Sequence, residues 1–193
     1  IHVLDVPNDL NLTYYDIVVD YVTLDFNNNS IGGLLVYDCV SCGIQNAILD
    51  AGVLNVEFAE DLTLTNIEIK NLTSGYNAFY VYRSIGVIAT DILIENTNQA
   101  GVIIYSDGVE IKNSEITNNI NGVRIEESWV VFERVLFYNI YNKAIEIMSF
   151  NQPNASIWST VKIINTTIVA QNNFTGCGND AECGFIDIRV NAN

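Results

Sequence analysis

The stretch LTLTNIEI, Leu62 to Ile69, carries apolar residues at its first, third, sixth and eighth positions. Residues two apart share a face of a β-strand, so Leu62 with Leu64 and Ile67 with Ile69 form two inward pairs. Thr65 and Asn66 break the alternation, which requires the chain to turn a corner between two short strands. The same spacing recurs as IVVDYVTL from Ile17, CGIQNAIL from Cys42 and VIATDILI from Val87. It continues as VEIKNSEI from Val109, VVFERVLF from Val130 and VKIINTTI from Val161. The starts lie 25, 20, 25, 22, 21 and 31 residues apart. A period in that range marks a solenoid whose repeats stack on one another.

A further alternating segment precedes most copies: GLLVY at Gly33, VLNVEF at Val53, AFYVY at Ala78, GVIIY at Gly101, GVRIE at Gly122 and AIEIM at Ala144. FIDIRV at Phe185 reads as the start of an eighth coil. Three short strands per turn predict an all-β, right-handed parallel β-helix of seven or eight coils. At about 4.8 Å per coil it would be roughly 35–40 Å long.

The corner has its own columns. Its second position is Asn46, Asn66, Asp91, Asn113 and Asn165, with Tyr21 and Arg134 as exceptions. Asn tolerates left-handed backbone, and stacked amides can bond from coil to coil as a ladder. A second column holds Asn71, Asn96, Asn118 and Asn139, and a third holds Tyr37, Tyr82 and Tyr105. With its apolar repeat and corner ladder, the chain resembles the pectate-lyase-like right-handed β-helix superfamily from residue 16 to about 190. That resemblance implies the fold and leaves the activity open, because the superfamily hosts lyases, hydrolases, tailspikes, adhesins and surface-layer proteins.

Residues 1–193 read as a single domain: 1–16 an N-terminal cap or arm, 17–169 the repeating coils, 170–193 a disulfide loop and a last partial coil. There are only two prolines and no Pro- or Gly-rich linker. No apolar run approaches the roughly 20 residues that span a membrane. Ile1 is read as following a removed signal peptide or as a boundary of the sequence. Net charge is −15, and the eight basic residues are scattered. Nucleic acid demands a cationic footprint that this pattern lacks, and polyuronates would be repelled. Calcium is unsupported, since no D-x-D-x-D-G spacing occurs, and no other cofactor is expected.

Cys39, Cys42, Cys177 and Cys183 are expected to form two local disulfides, since zinc would need four convergent ligands and the only histidine is His2. Disulfides imply an oxidising, extracellular compartment. Six N-x-[S/T] sequons, at Asn11, Asn28, Asn71, Asn154, Asn165 and Asn173, point the same way. Asn165 is the doubtful one, because a glycan there would compete with the corner ladder.

No catalytic constellation is legible. The chain has no Asp-Asp pair, no Gly-His-Gly and no R-x-K, and a triad built on His2 is implausible so near the end. Outward carboxylates remain at Glu110, Glu115, Glu126, Glu127, Glu133 and Glu146, where neighbours on successive coils would sit about 5 Å apart, near the separation of a retaining glycosidase pair. Apolar residues at outward positions, Val18, Ile48, Ile88, Leu93, Val131 and Leu136, suggest a packing surface. These features favour a secreted, glycosylated, non-catalytic structural protein, self-associating as a homo-oligomer in a filament, sheath or surface layer. The alternative is carbohydrate binding, adhesin-like or tailspike-like, through the tyrosine-bearing face. A polysaccharide hydrolase or lyase is the third reading.

Overall fold

The computed structural model describes residues 2–5, 15–17, 22–73, 75–149, 159–170 and 186–190. Every strand pairing among them is parallel, and the strands fall into two stacked sheets. The leading sheet stacks Tyr15–Ile17, Leu34–Tyr37, Leu54–Glu57, Asn77–Tyr82, Gln99–Ile104, Asn121–Glu126, Ile145–Ser149 and Ile186–Val190 in chain order. The other sheet is bent and carries the eight-residue repeat. Its first four members, His2–Asp5, Val22–Ile31, Gly43–Asp50 and Thr63–Lys70, pair successively, followed by Ile88–Glu95. Beyond that the corner splits each coil into two strands, such as Val109–Lys112 with Glu115–Thr117. Parallel strands joined by crossovers of this kind wind right-handedly. The result is the expected parallel β-helix, of about six full turns rather than seven or eight.

The inward columns form one continuous core. Leu62, Leu64, Ile67 and Ile69 of the deciding stretch are all fully buried. They stack on Cys42, Ile44, Ala47 and Leu49 of the coil before and Val87, Ala89, Ile92 and Ile94 of the coil after. A parallel sheet buried on one face by its own coil needs no covering helix, because the opposite wall of the same turn supplies the packing.

The first repeat sits in a different register from the one its sequence suggests. Thr23 pairs with Gly43 and Leu24 with Ile44, so the repeating unit starts at Val22 and not at Ile17. Ile17 belongs to the leading sheet, opposite Val36. The corner here is lengthened: Asp25 is opposite Gln45, but the next match is Asn29 with Ala47. Phe26, wholly buried, fills the interior at that level, while Asn27 and Asn28 take the left-handed turn at φ 51° and 59°. Two overlapping apolar alternations are present at this place, and the structure takes the later one with Phe26 inside the core. The Tyr21 exception disappears, because an asparagine turns this corner too. At the N-terminus, His2–Asp5 adds a parallel strand beside Val22–Ile31, so part of the stretch expected as a cap or arm belongs to the stack.

Corner columns are left-handed from coil to coil. Asn46, Asn66, Asp91, Asn113, Arg134 and Asn165 all have positive φ, between 48° and 56°. Asn71, Asn96, Asn118 and Asn139 form a second such column. A third follows the leading strand as Asp38, Phe58, Arg83, Tyr105 and Glu127. Residues other than Gly and Asn pay for left-handed backbone, so something must hold this third corner. What holds it is a ladder of buried serines. Ser84, Ser106 and Ser128, each next in sequence to a left-handed residue, are at most 3% exposed. The Ala59 N–H donates to Ser84 Oγ at 3.1 Å, the Ser84 N–H to Ser106 Oγ at 3.2 Å, and the Ser106 N–H to Ser128 Oγ at 3.0 Å. Each hydroxyl in turn donates to the carbonyl two residues earlier, on Tyr82, Ile104 and Glu126.

Candidate functional site

The leading strand points Tyr80 and Tyr82 outward on either side of buried Val81. One coil earlier the same columns carry Asn55 and Glu57, and the coil before that Leu35 and Tyr37. The tyrosine column read from the sequence is therefore two columns: Tyr37 and Tyr82 share one, whereas Tyr105 stands in the next, on the left-handed corner with Phe58 and Arg83. Because adjacent columns alternate, the rings interleave into a single strip. Ring centroids run 5.5 Å from Tyr37 to Phe58, 5.7 Å from Phe58 to Tyr82 and 6.2 Å from Tyr82 to Tyr105, all edge-to-face. Tyr80 stacks on Tyr82 at 6.1 Å, with ring planes 12° apart. The Arg83 guanidinium sits 5.0 Å from the Tyr82 centroid and 6.0 Å from that of Tyr105. These separations are those of favourable aromatic and cation–π pairs. Phe58 was missed in the sequence because it falls one position past the strand, where its coil has no tyrosine.

Beside the strip lies a shallow groove of about 190 Å³ lined by Val53, Asn55, Glu57, Tyr76, Asn77 and Tyr80. The chain between Leu72 and Asn77 makes this coil longer than its neighbours, and Tyr76 stands out from it at 69% exposure. Burial, and then the Glu57 carboxylate, push the Tyr80 phenol above its ordinary value. The combination of ring faces, two amides, a carboxylate and phenol hydroxyls is a surface suited to a flat, hydroxyl-rich ligand.

Glu146 stands in register between Arg124 and Asp187, whereas the other outward glutamates on paired strands have non-acidic neighbours. Glu110 is flanked in register by Ile88 and Val131, and Glu115 by Leu93 and Leu136. Glu126 lies between Ile104 and Met148. Glu110, Glu126, Glu133 and Glu146 are ion-paired with Lys112, Arg124, Arg134 and Lys143. Glu127 is 5% exposed, with one carboxylate oxygen lacking a hydrogen-bond partner. Among the described residues no three His, Cys, Asp or Glu side chains converge as metal ligands.

The outward apolar residues are dispersed. Ile48, Leu93 and Leu136 are half-buried and alternate down their column with Glu68 and Glu115. Ile88 is exposed and Val131 is buried, while Val18 lies outside the described residues. Cys39 and Cys42 are bonded across the corner with Cα atoms 6.2 Å apart. Cys177 and Cys183 lie outside the described residues, as do Asn11, Asn154 and Asn173. Asn28, Asn71 and Asn165 are all exposed. The corner ladder bonds Asn46 to Asp25 at 2.9 Å and Asn66 to Asn46 at 2.7 Å, and the Arg134 Nε to Asn113 at 2.6 Å.

No protein-family model and no curated protein sequence matches the chain. Among solved structures it superposes on a mutant tailspike protein of E. coli bacteriophage HK620 in complex with a pentasaccharide. The TM-score is 0.53 at 10% identity, over 89% of this chain and 36% of the tailspike. The fold the two share is a parallel β-helix. A double mutant of the same tailspike, also with a pentasaccharide, gives a TM-score of 0.52 at 10% identity over the same shares of each chain. The A-module of the mannuronan C-5 epimerase AlgE4 of Azotobacter vinelandii gives 0.42 at 12% identity, over 90% of this chain and 56% of the module. This β-helix thus spans about a third of the length of the tailspike it matches. At these identities the likeness extends to the fold alone. Among the described residues no helix is long and apolar enough to cross a membrane.

Proposed function

We propose that this β-helix is a carbohydrate-binding protein that holds a saccharide along the strip Tyr37–Phe58–Tyr82–Tyr105 and in the groove beside it. The observation that carries the reading is the strip itself. A soluble strand face ordinarily places Thr, Lys or Glu outward, yet here aromatic rings follow one another over successive coils at 5.5 to 6.2 Å. The apolar faces of sugar rings pack on such rings, and the hydroxyls take the amides, phenols and carboxylate alongside. The tailspike's complex with a pentasaccharide supports a saccharide role for this fold without locating one here. A self-assembling filament has less behind it, because the outward apolar residues alternate with glutamates and form no continuous patch. The setting we propose is extracellular, in keeping with the bonded Cys39 and Cys42.

The test is a glycan array with the native chain and with a variant carrying Tyr80→Ala, Tyr82→Ala and Tyr105→Ala. Binding that the variant loses, while its far-ultraviolet circular dichroism is kept, is the expected outcome. An array without hits, or hits that the variant retains, would remove the proposal.

A further inference from the structure

Resting on that reading, we infer that the saccharide held in the groove carries a protonated amine. Tyr76 and Tyr80 line the groove, and its one charged lining residue is Glu57. Like most of the described acidic residues, Glu57 makes no ion pair, and it is the one of them that lines this groove. A half-buried carboxylate without a counter-charge, in a groove that two tyrosines also line, offers the two attractions that an ammonium group satisfies together. The other charged groups around Tyr80 reinforce this sign. Glu126 also acts on Tyr80, although Arg124 pairs with it. Arg83 does not line the groove; it is held over Tyr82 and Tyr105. The chain's charge of −15 adds a long-range field that draws in cations and turns uronates away. A neutral sugar would give Glu57 hydroxyl hydrogen bonds but no counter-charge, while an acidic one would be repelled by it.

The experiment compares three tetrasaccharides with the full chain by titration calorimetry at about pH 6, where an amine is protonated. They are β-1,4-linked glucosamine, its N-acetylated form and an oligouronate. The glucosamine tetramer is expected to bind about tenfold tighter than the acetylated one. That preference should shrink as salt rises from about 0.05 M to about 0.5 M, since screening reaches an open groove. Glu57→Gln, which keeps shape, should abolish the preference. Equal affinities for charged and neutral tetramers, a preference for the uronate, or a preference that survives Glu57→Gln would each overturn the inference and leave the wider glycan reading standing. Absence of binding by all three, together with an empty glycan array, would remove both.

Discussion

Replacing Ser106 by alanine tests how the site is held. Ser106 Oγ accepts the Ser84 N–H at 3.2 Å and donates to the Ile104 carbonyl at 3.0 Å. That carbonyl also accepts the Arg83 N–H at 3.1 Å, so it keeps a partner in the variant. The Ser84 N–H does not: Ser84 is wholly buried, and water cannot replace the lost oxygen. Leaving one buried backbone donor unsatisfied costs about 1–3 kcal/mol, far more than the net gain from an ordinary exposed hydrogen bond. For a chain of this size, about 2 kcal/mol corresponds to a melting temperature lowered by roughly 4–8 °C. Urea unfolding followed by circular dichroism measures the loss directly, with Thr65→Ala, an exposed corner residue, as the control expected to stay within about 0.5 kcal/mol. A second effect follows from position. Ser106 adjoins left-handed Tyr105, and Ser84 adjoins left-handed Arg83, so loosening the ladder should weaken saccharide binding without touching a binding side chain. A Ser106→Ala variant within about 0.5 kcal/mol of the parent, with Ser84→Ala and Ser128→Ala equally silent, would refute the idea that this ladder holds the corner.

Three further outcomes are expected. Asn66→Ala loses the 2.7 Å bond to Asn46 and places alanine at φ 53°, a combined cost of about 1–2 kcal/mol by urea unfolding, most of which Asn66→Gly should recover. Asp25 is held below the ordinary carboxylate value by hydrogen bonds from the Asn46 side chain, the Asn27 N–H and the Gln45 side chain, in that order. Because its folded value is depressed, its contribution is present at neutral pH and disappears as the pH falls below about 4. The stability gap between the parent and Asp25→Asn should therefore close in acid, and a gap that widens there would contradict this account. In a host that N-glycosylates secreted chains, a glycan is expected on exposed Asn28 but not on Asn71, whose amide donates to Asp50 at 2.9 Å. Peptide mapping by mass spectrometry decides this, and an occupied Asn71 would show that the corner gives way to the sugar.

The fold was legible because its determinants are periodic: inward pairs at fixed spacing, closed by a corner residue that favours left-handed backbone. At the first repeat the pattern was not enough. Around Ile17 and Val22 the spacing fits the Ile17 start, but the structure takes the Val22 start with a lengthened corner and Phe26 inside the core. The serine ladder was invisible for a different reason. Its column reads Cys39, Ala59, Ser84, Ser106 and Ser128, which in sequence is a run of small residues at a loop and carries no apolar signal. The site was half visible. Tyr80, Tyr82 and Tyr105 stood out as tyrosines, but the strip depends on Phe58 and on two columns interleaving, which follows from register and not from composition. Of the outward glutamates, Glu110, Glu115 and Glu126 have non-acidic neighbours on adjacent coils, whereas Glu146 faces Asp187.

Register also explains why such a strip suits recognition. A one-residue slip in a strand would carry Tyr82 inward and Val81 outward, so the buried columns fix the exposed ones. Parallel pairing then sets the distance between successive rings at the coil spacing, about 4.8 Å along the stack, with the remainder of each centroid separation arising from alternation between columns. The entropy of ordering these rings is spent when the helix folds, and ring-to-ring contacts together with Arg83 restrict them further. A flat ligand thus meets a platform already in place, and binding loses little to side-chain ordering. The same reasoning places discrimination elsewhere. Rings fixed at one spacing accept many sugars, so choice among them falls to the groove, where coil length departs from its neighbours and the single charged lining residue is Glu57.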